Sequence, residues 1–300
     1  MNLQDAYYEQ KFENAFLRAK GDVFQDVFEQ LMSLAYKADF LACCSWGNQG
    51  DCKNDGFLKS ERRLFQVYAP NEMEATKAKA KIFEDFEGAK KYWGTHFDKW
   101  VFVHNATDGL PPHVHELLLD FEKSNPGIQL EPWGLEELRP IFRALTVEDK
   151  ASWFGLAPTD ATKATLGFSD LQVVLERMAA LPVPTMAKMK DVPTGKIEAN
   201  ALSESVARLL KEGMVKSPLI ADFFSRWHDE TLGERLAETF KAEYRRLRKQ
   251  HSPNQIFAEL QSWVGGARRG APEHELAVLT VLAYYFERCD IFEEPRSAAT

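Results

Sequence analysis

The sequence contains few cysteines and no apolar run long enough to cross a membrane. Its four cysteines form no CxxC pair, so a disulfide framework or a zinc site has little support. The longest apolar stretches are far shorter than the roughly 20 residues that a bilayer-spanning helix needs. We therefore expect a soluble protein that makes no membrane contact.

Features of an export signal are also missing. Met1–Asp5 provides neither the basic start nor the apolar core of a signal peptide. Cysteines without a pairing pattern fit a reducing compartment. The sequence predicts a cytoplasmic protein.

An excess of positive charge is the third missing feature, because the formal net charge is −8. A protein that binds DNA alone usually presents enough Lys and Arg to displace counterions. Any DNA contact must therefore be local, or be completed by oligomerisation or a partner. A group of lysines on one predicted helix leaves both a DNA-backbone contact and a solubilising face open. Its members are Lys77, Lys79, Lys81, Lys90 and Lys91.

Apolar periodicity predicts an α/β first half and an all-helical second half. Two helical patterns open the chain, and strand-type runs then alternate with helical patterns from residue 64 to residue 143. This order predicts a mixed sheet with helices on its faces over residues 1–145. Beyond it no strand pattern remains, and Pro and Gly reach linker density. We predict a linker with short helices at 146–198 and a helical domain at 199–300.

A Gly- and Asp-rich turn and the strand that follows it supply the candidate catalytic residues. The turn, from Gly47 to Gly56, contains Asp55, and the strand at 64–68 contains Gln66 and Tyr68. In a β-hairpin, residues i and i+2 of one strand share a face and meet the same residue of the neighbouring strand. Oxygen ligands gathered in this way suit Mg²⁺, which supports phosphodiester hydrolysis.

These segments resemble the PD-(D/E)xK nuclease superfamily, in particular its Mrr-like branch, in which Asp-Gly leads to a strand ending Gln-x-Lys. The resemblance implies a restriction-endonuclease-like α/β fold and a site for Mg²⁺ or Mn²⁺ with Asp55 and Gln66 as ligands. Tyr68 stands in the place of the lysine. Upstream, Gly21 to Gln25 is similar to the Gly-x-x-Phe-Glu of that branch, with Gln25 at the glutamate position.

Nearby charged residues offer replacements for the missing motif groups. Asp51 is a candidate second metal ligand, and Lys53 lies two residues before Asp55. Lys81, on the helix after the strand, is another candidate lysine. The alternative is that the two acids form Asx turns and that Lys53 is solvated.

Segments along nearly the whole chain look like the ABC-three-component proteins, a group that includes Lamassu-type anti-phage systems. The resemblance implies a bacterial effector of the LmuA type, which an SMC/Rad50-like ABC ATPase and a small middle subunit hold through the C-terminal helical domain. On release it would oligomerise and cut double-stranded DNA. The segments that carry the resemblance lie at residues 65–70, 83–89, 100–105, 108–112 and 281–293.

Three functions therefore stay open. The first is a Mg²⁺-dependent DNA endonuclease that is active as a homo-oligomer. The second is a catalytically inactive nuclease fold that acts as an assembly or DNA-binding subunit, which Tyr68 and Gln25 favour. The third is a toxin that cleaves RNA.

Overall fold

A computed structural model of the chain describes residues 1–43, 54–107, 109–179, 195–227, 229, 231–266, 271–288 and 290–293. The chain divides into two compact units. We call Ala15–Asp149 the sheet unit, and Met1–Asn14 together with Lys150–Thr300 the helical unit. The division falls inside the first helix, α1 (Leu3–Arg18). The sequence predicts that residues 1–14 belong to the first domain, whereas this division groups them with the helical unit.

The sheet unit alternates strands and helices after α2. The described elements are α2 (Asp22–Tyr36), a 3₁₀ turn (Lys37–Asp39), β1 (Phe40–Ala42), β2 (Gly56–Leu58), β3 (Arg63–Tyr68), α3 (Ala75–Trp93), β4 (Lys99–His104), α4 (Pro112–Ser124), β5 (Gln129–Trp133) and α5 (Leu135–Ala144).

The strands form one five-stranded sheet in the order β1-β2-β3-β4-β5. The β1-β2 and β2-β3 pairs are antiparallel, and the β3-β4 and β4-β5 pairs are parallel. The predicted mixed sheet with flanking helices is therefore confirmed. The predicted turn ends at Gly56, where β2 begins, and residues 47–53 of that turn lie outside the described residues.

Each face of the sheet is covered by helices, and the strand sequences show why. In β4, residues 100–103 are fully buried, as expected for a central parallel strand covered on both faces. Leu64 and Phe102 belong to an apolar cluster with the buried residues of α3 and α4. On the opposite face, Phe65 lies 5.3 Å from the Phe28 ring of α2, centroid to centroid. The core of this unit therefore has two apolar layers.

The described residues of the helical unit contain helices and no strand. The elements are the first part of α1, the last part of α6 (Val147–Phe154), α7 (Asp160–Thr165), α8 (Phe168–Ala179), α9 (Lys196–Ala199), α10 (Glu204–Met214), α11 (Pro218–Arg226), α12 (Leu232–Leu247), α13 (Pro253–Gly265) and α14 (Pro272–Glu287). The predicted helical C-terminal part is confirmed.

The helix α14 is the centre of the helical unit, because every residue from His274 to Phe286 is buried. The segment predicted as a linker also contributes to this core, since Leu171, Val174 and Leu175 of α8 are fully buried. None of the helices in the described part of the chain is long and apolar enough to span a bilayer.

Replacing Phe102 with alanine should destabilise the sheet unit by about 3–5 kcal/mol, because it removes a fully buried ring from a close-packed layer. Urea denaturation measures this loss. The matched control is Phe83→Ala on α3, where the side chain is 56% exposed and the same substitution should change stability little. Equal losses in both variants would contradict the assignment of this layer as the core.

Candidate functional site

Asp55 and Gln66 face each other across the antiparallel pair of β2 and β3. Gly56 pairs with Phe65 in this ladder, and the backbone N–H of Asp55 donates to the Phe65 carbonyl at 2.9 Å. One step further along the pairing, Asp55 lies opposite Gln66. The two side chains are only 4% and 3% exposed, so the hairpin buries a carboxylate and an amide together.

The Asp55 carboxylate is held by two N–H donors at one oxygen. The Gln66 Nε2 and the backbone N–H of Val67 each donate to Asp55 Oδ2 at 2.6 Å. Hydrogen bonds to a charged acceptor are shorter and stronger than neutral ones. They replace part of the hydration that the buried carboxylate loses, and they fix its orientation.

Two amide atoms beside this carboxylate are buried without a hydrogen-bond partner in the described part of the chain. One is Gln66 Oε1 and the other is Asn54 Nδ2. Asn54 is otherwise fixed, because its Oδ1 accepts the N–H of Gly56 at 2.9 Å in an Asx turn. An unsatisfied buried polar atom costs about 1–3 kcal/mol. A hard cation beside Asp55 would satisfy Gln66 Oε1 and remove this cost.

The predicted metal site is thus represented by two oxygen-bearing side chains. Mg²⁺ is commonly bound through one or two carboxylates and keeps several waters, so Asp55 with the Gln66 amide oxygen fits its minimal protein share. Within the described residues, no three or more His, Cys, Asp and Glu side chains are grouped for a metal ion. Asp51 and Lys53, the other predicted groups, lie outside the described residues.

Tyr68 and Gln25 are placed away from the carboxylate's hydrogen bonds. Tyr68 is half-buried and packs against the α3–α4 layer, with its ring centroid 5.8 Å from that of Phe102. Gln25 lies on α2 and donates through Nε2 to Glu29 Oε1 at 2.9 Å. The structure therefore brings Asp55 and Gln66 together, puts Tyr68 in an apolar contact, and joins Gln25 to a residue of its own helix.

A second buried carboxylate lies on α3, and the sequence analysis did not identify it. Asp85 is fully buried, and the Nζ of Lys81 lies 3.0 Å from each of its oxygens. The other buried residues of this helix are apolar: Ala78, Ile82, Phe86 and Ala89. The interruption of an apolar face by one acid was the available signal.

His104, at the end of β4, is buried in its neutral form. Burial, with a smaller effect of the neighbouring His115, lowers the pKa of His104 from 6.5 to about 4. The His104 Nδ1 also accepts the backbone N–H of Ala106 at 3.2 Å, which requires an unprotonated Nδ1. His104 is therefore a buried histidine at the end of the sheet whose Nδ1 is satisfied by the backbone.

Comparison with known proteins gives one result for the second half of the chain. Residues 169–293 match the family model of C-terminal domain 10 of the ABC-three component (ABC-3C) systems. This part of the chain is similar to an ABC-3C C-terminal domain. The resemblance to ABC-three-component proteins is thereby confirmed for residues 169–293, and the match begins within the segment predicted as a linker.

The sheet unit, Ala15–Asp149, lies outside the matched residues. No curated protein and no solved structure matches the chain. The similarity to Mrr-like nucleases and to Lamassu effectors therefore stays a prediction from the sequence.

Acid should destabilise the sheet unit through His104. Because the pKa is about 6.5 in the unfolded chain and about 4 in the folded one, the unfolded state binds the proton first as the pH falls. The stability that His104 contributes is complete above pH 6.5 and is lost progressively down to pH 4. Urea denaturation at pH 7 and pH 5 should show a loss about 2 kcal/mol larger for the wild type than for His104→Gln. Equal losses would contradict a neutral, buried His104.

Proposed function

We propose that this chain is the DNA-cleaving effector of a bacterial ABC-three-component defence system. In this proposal, the sheet unit is a PD-(D/E)xK-type nuclease domain that hydrolyses phosphodiesters with Mg²⁺ or Mn²⁺. The observation that supports it most directly is the buried Asp55–Gln66 pair on a β-hairpin, where one amide oxygen faces no partner among the described residues. The domain match of residues 169–293 supports the defence system as its context.

The residues of the hairpin have distinct parts in this proposal. Asp55 supplies the carboxylate ligand, and the N–H of Val67 keeps that carboxylate in place at 2.6 Å. Gln66 supplies its Oε1 as a second ligand while its Nε2 orients Asp55. When bound, the ion acts as a Lewis acid toward the scissile phosphate. Burial of the pair strengthens these interactions, because the local dielectric is low.

The helical unit would hold the chain in its complex. We propose that it binds the SMC/Rad50-like ABC ATPase together with a small middle subunit, and that release permits the nuclease units to oligomerise on double-stranded DNA. The domain match supports an assembly role for this region. Oligomerisation also addresses the net charge of −8, because several copies would gather their local basic groups around one duplex.

One observation favours a second candidate function, a catalytically inactive nuclease fold that serves assembly or DNA binding. Tyr68 occupies the place of the motif lysine and packs against Phe102 in an apolar layer. Such a side chain does not supply the positive charge that stabilises phosphoryl transfer. The proposal of an active nuclease therefore requires a lysine from elsewhere in the chain.

Cleavage of supercoiled plasmid separates the two candidates. The full chain, assayed with Mg²⁺ or Mn²⁺ over a range of protein concentrations, should nick DNA, and Asp55→Asn should lower the rate about 100-fold or more. Asparagine keeps the size of the side chain and an oxygen that can accept from Val67, so the fold should persist. Thermal unfolding checks this.

The matched control is Asp120→Asn, which alters an exposed acid on α4 of the same unit and should cleave at the wild-type rate. Cleavage that is equally fast in Asp55→Asn would show that this site is not the nuclease centre. Absence of cleavage by the wild type at every concentration would favour the inactive fold, and cutting of RNA alone would favour the toxin.

A further inference from the structure

We infer that Lys81 and Asp85 of α3 complete the site, with Lys81 as the missing phosphate-stabilising lysine and Asp85 as its second carboxylate. This inference rests on the proposed nuclease function. Lys81 is already a candidate lysine from the sequence, and the structure pairs it with Asp85. The observation that supports the inference is that α3 packs on the face of the sheet where the hairpin places Gln66.

The helix α3 covers the same face of the sheet that carries Gln66. In β3, Leu64, Gln66 and Tyr68 are spaced two residues apart, so all three side chains point to the same face of the sheet. Leu64 lies in the apolar cluster with the buried residues of α3, and Tyr68 packs against that cluster. Gln66 is thus flanked along its strand by two residues that meet the α3–α4 layer.

A ring contact aligns α3 with β2. Phe57, two residues after Asp55 on the same face, stacks on Trp93 at the end of α3 with 6.2 Å between ring centroids. Asp85 precedes Trp93 by eight residues, which is two intervals of four and keeps both on one side of the helix. The buried side of α3 therefore carries Asp85 back along the β2–β3 hairpin in the direction of Asp55.

The Lys81–Asp85 ion pair differs from an ordinary surface pair because its carboxylate is fully buried. Asp85 is fully buried and the Lys81 side chain is 31% exposed, with Nζ equidistant from both carboxylate oxygens at 3.0 Å. An exposed i,i+4 ion pair stabilises a helix only slightly, whereas removing a carboxylate from water is costly. A buried position that is this costly for a carboxylate is one where a functional role is expected.

Chemically, the pair supplies what the hairpin lacks. The Lys81 side chain is 31% exposed and Asp85 is fully buried, so the ammonium would meet a phosphate oxygen at the solvent edge of the apolar layer. The carboxylate of Asp85 limits its freedom and adds an acidic oxygen to a layer that already contains Asp55. Together, the two groups would supply the lysine whose place Tyr68 occupies and a second acid for the motif.

Two variants of the full chain test the inference. Lys81→Met should lower plasmid cleavage about 100-fold or more, and Lys81→Arg should recover part of that loss because it restores the charge. Asp85→Asn should weaken Mn²⁺ binding about 10- to 100-fold, measured by calorimetry without DNA. Thermal unfolding reports whether each variant folds; if Asp85→Asn does not, Lys81→Met with its half-exposed side chain decides.

The matched control is Arg208→Met on α10. Arg208 and Glu212 form the same kind of pair, a half-exposed cation followed four residues later by a buried acid, but in the helical unit. This variant should cleave DNA and bind Mn²⁺ as the wild type does.

Wild-type cleavage by Lys81→Met, or unchanged Mn²⁺ affinity in a folded Asp85→Asn, would overturn the inference. If Asp55→Asn still abolished cleavage, the proposed function would stand without it. If the wild type bound Mn²⁺ but cut no DNA, the proposed nuclease activity and the role of Lys81 would both fail, and the Mn²⁺ affinity of Asp85→Asn would decide the role of Asp85. A wild type that does neither would overturn both.

Discussion

The candidate site depends on one interaction, the pair of hydrogen bonds that two N–H donors make to the buried carboxylate of Asp55. The Gln66 amide and the Val67 backbone replace the water that this carboxylate loses, and both belong to the strand next to it. The arrangement has a direct consequence. Because Gln66 donates with its nitrogen, its oxygen is left buried and without a partner among the described residues, which is the feature that points to a ligand.

These hydrogen bonds form because the sheet fixes the register of the β2–β3 hairpin. Phe65 faces the aromatic layer below, where its ring contacts Phe28, Phe40 and Trp133, and this alternation turns Gln66 to the opposite face. A slip of one residue would move Gln66 into the aromatic layer. The apolar packing therefore fixes the position of the polar site.

Much of this could be predicted from the sequence where a long periodic pattern existed. The helix α2 and the strand β4 follow directly from their apolar spacing, and the Asp55–Gln66 pairing follows from the turn before β3. The strand β2 could not be predicted, because it has only three residues and follows turn-forming residues. Asp85 escaped notice because an acid four residues after a lysine is typical of a solvated helix face.

The grouping of residues 1–14 with the helical unit could not be predicted, because a helical period does not say which core a helix joins.

One measurement tests directly whether the β2–β3 hairpin binds a metal ion: anomalous X-ray diffraction from crystals of the full chain grown with Mn²⁺. We expect a strong peak bonded to the Asp55 carboxylate and Gln66 Oε1. Well-ordered side chains at both positions with no peak between them, at a Mn²⁺ concentration that saturates binding in solution, would contradict the claim.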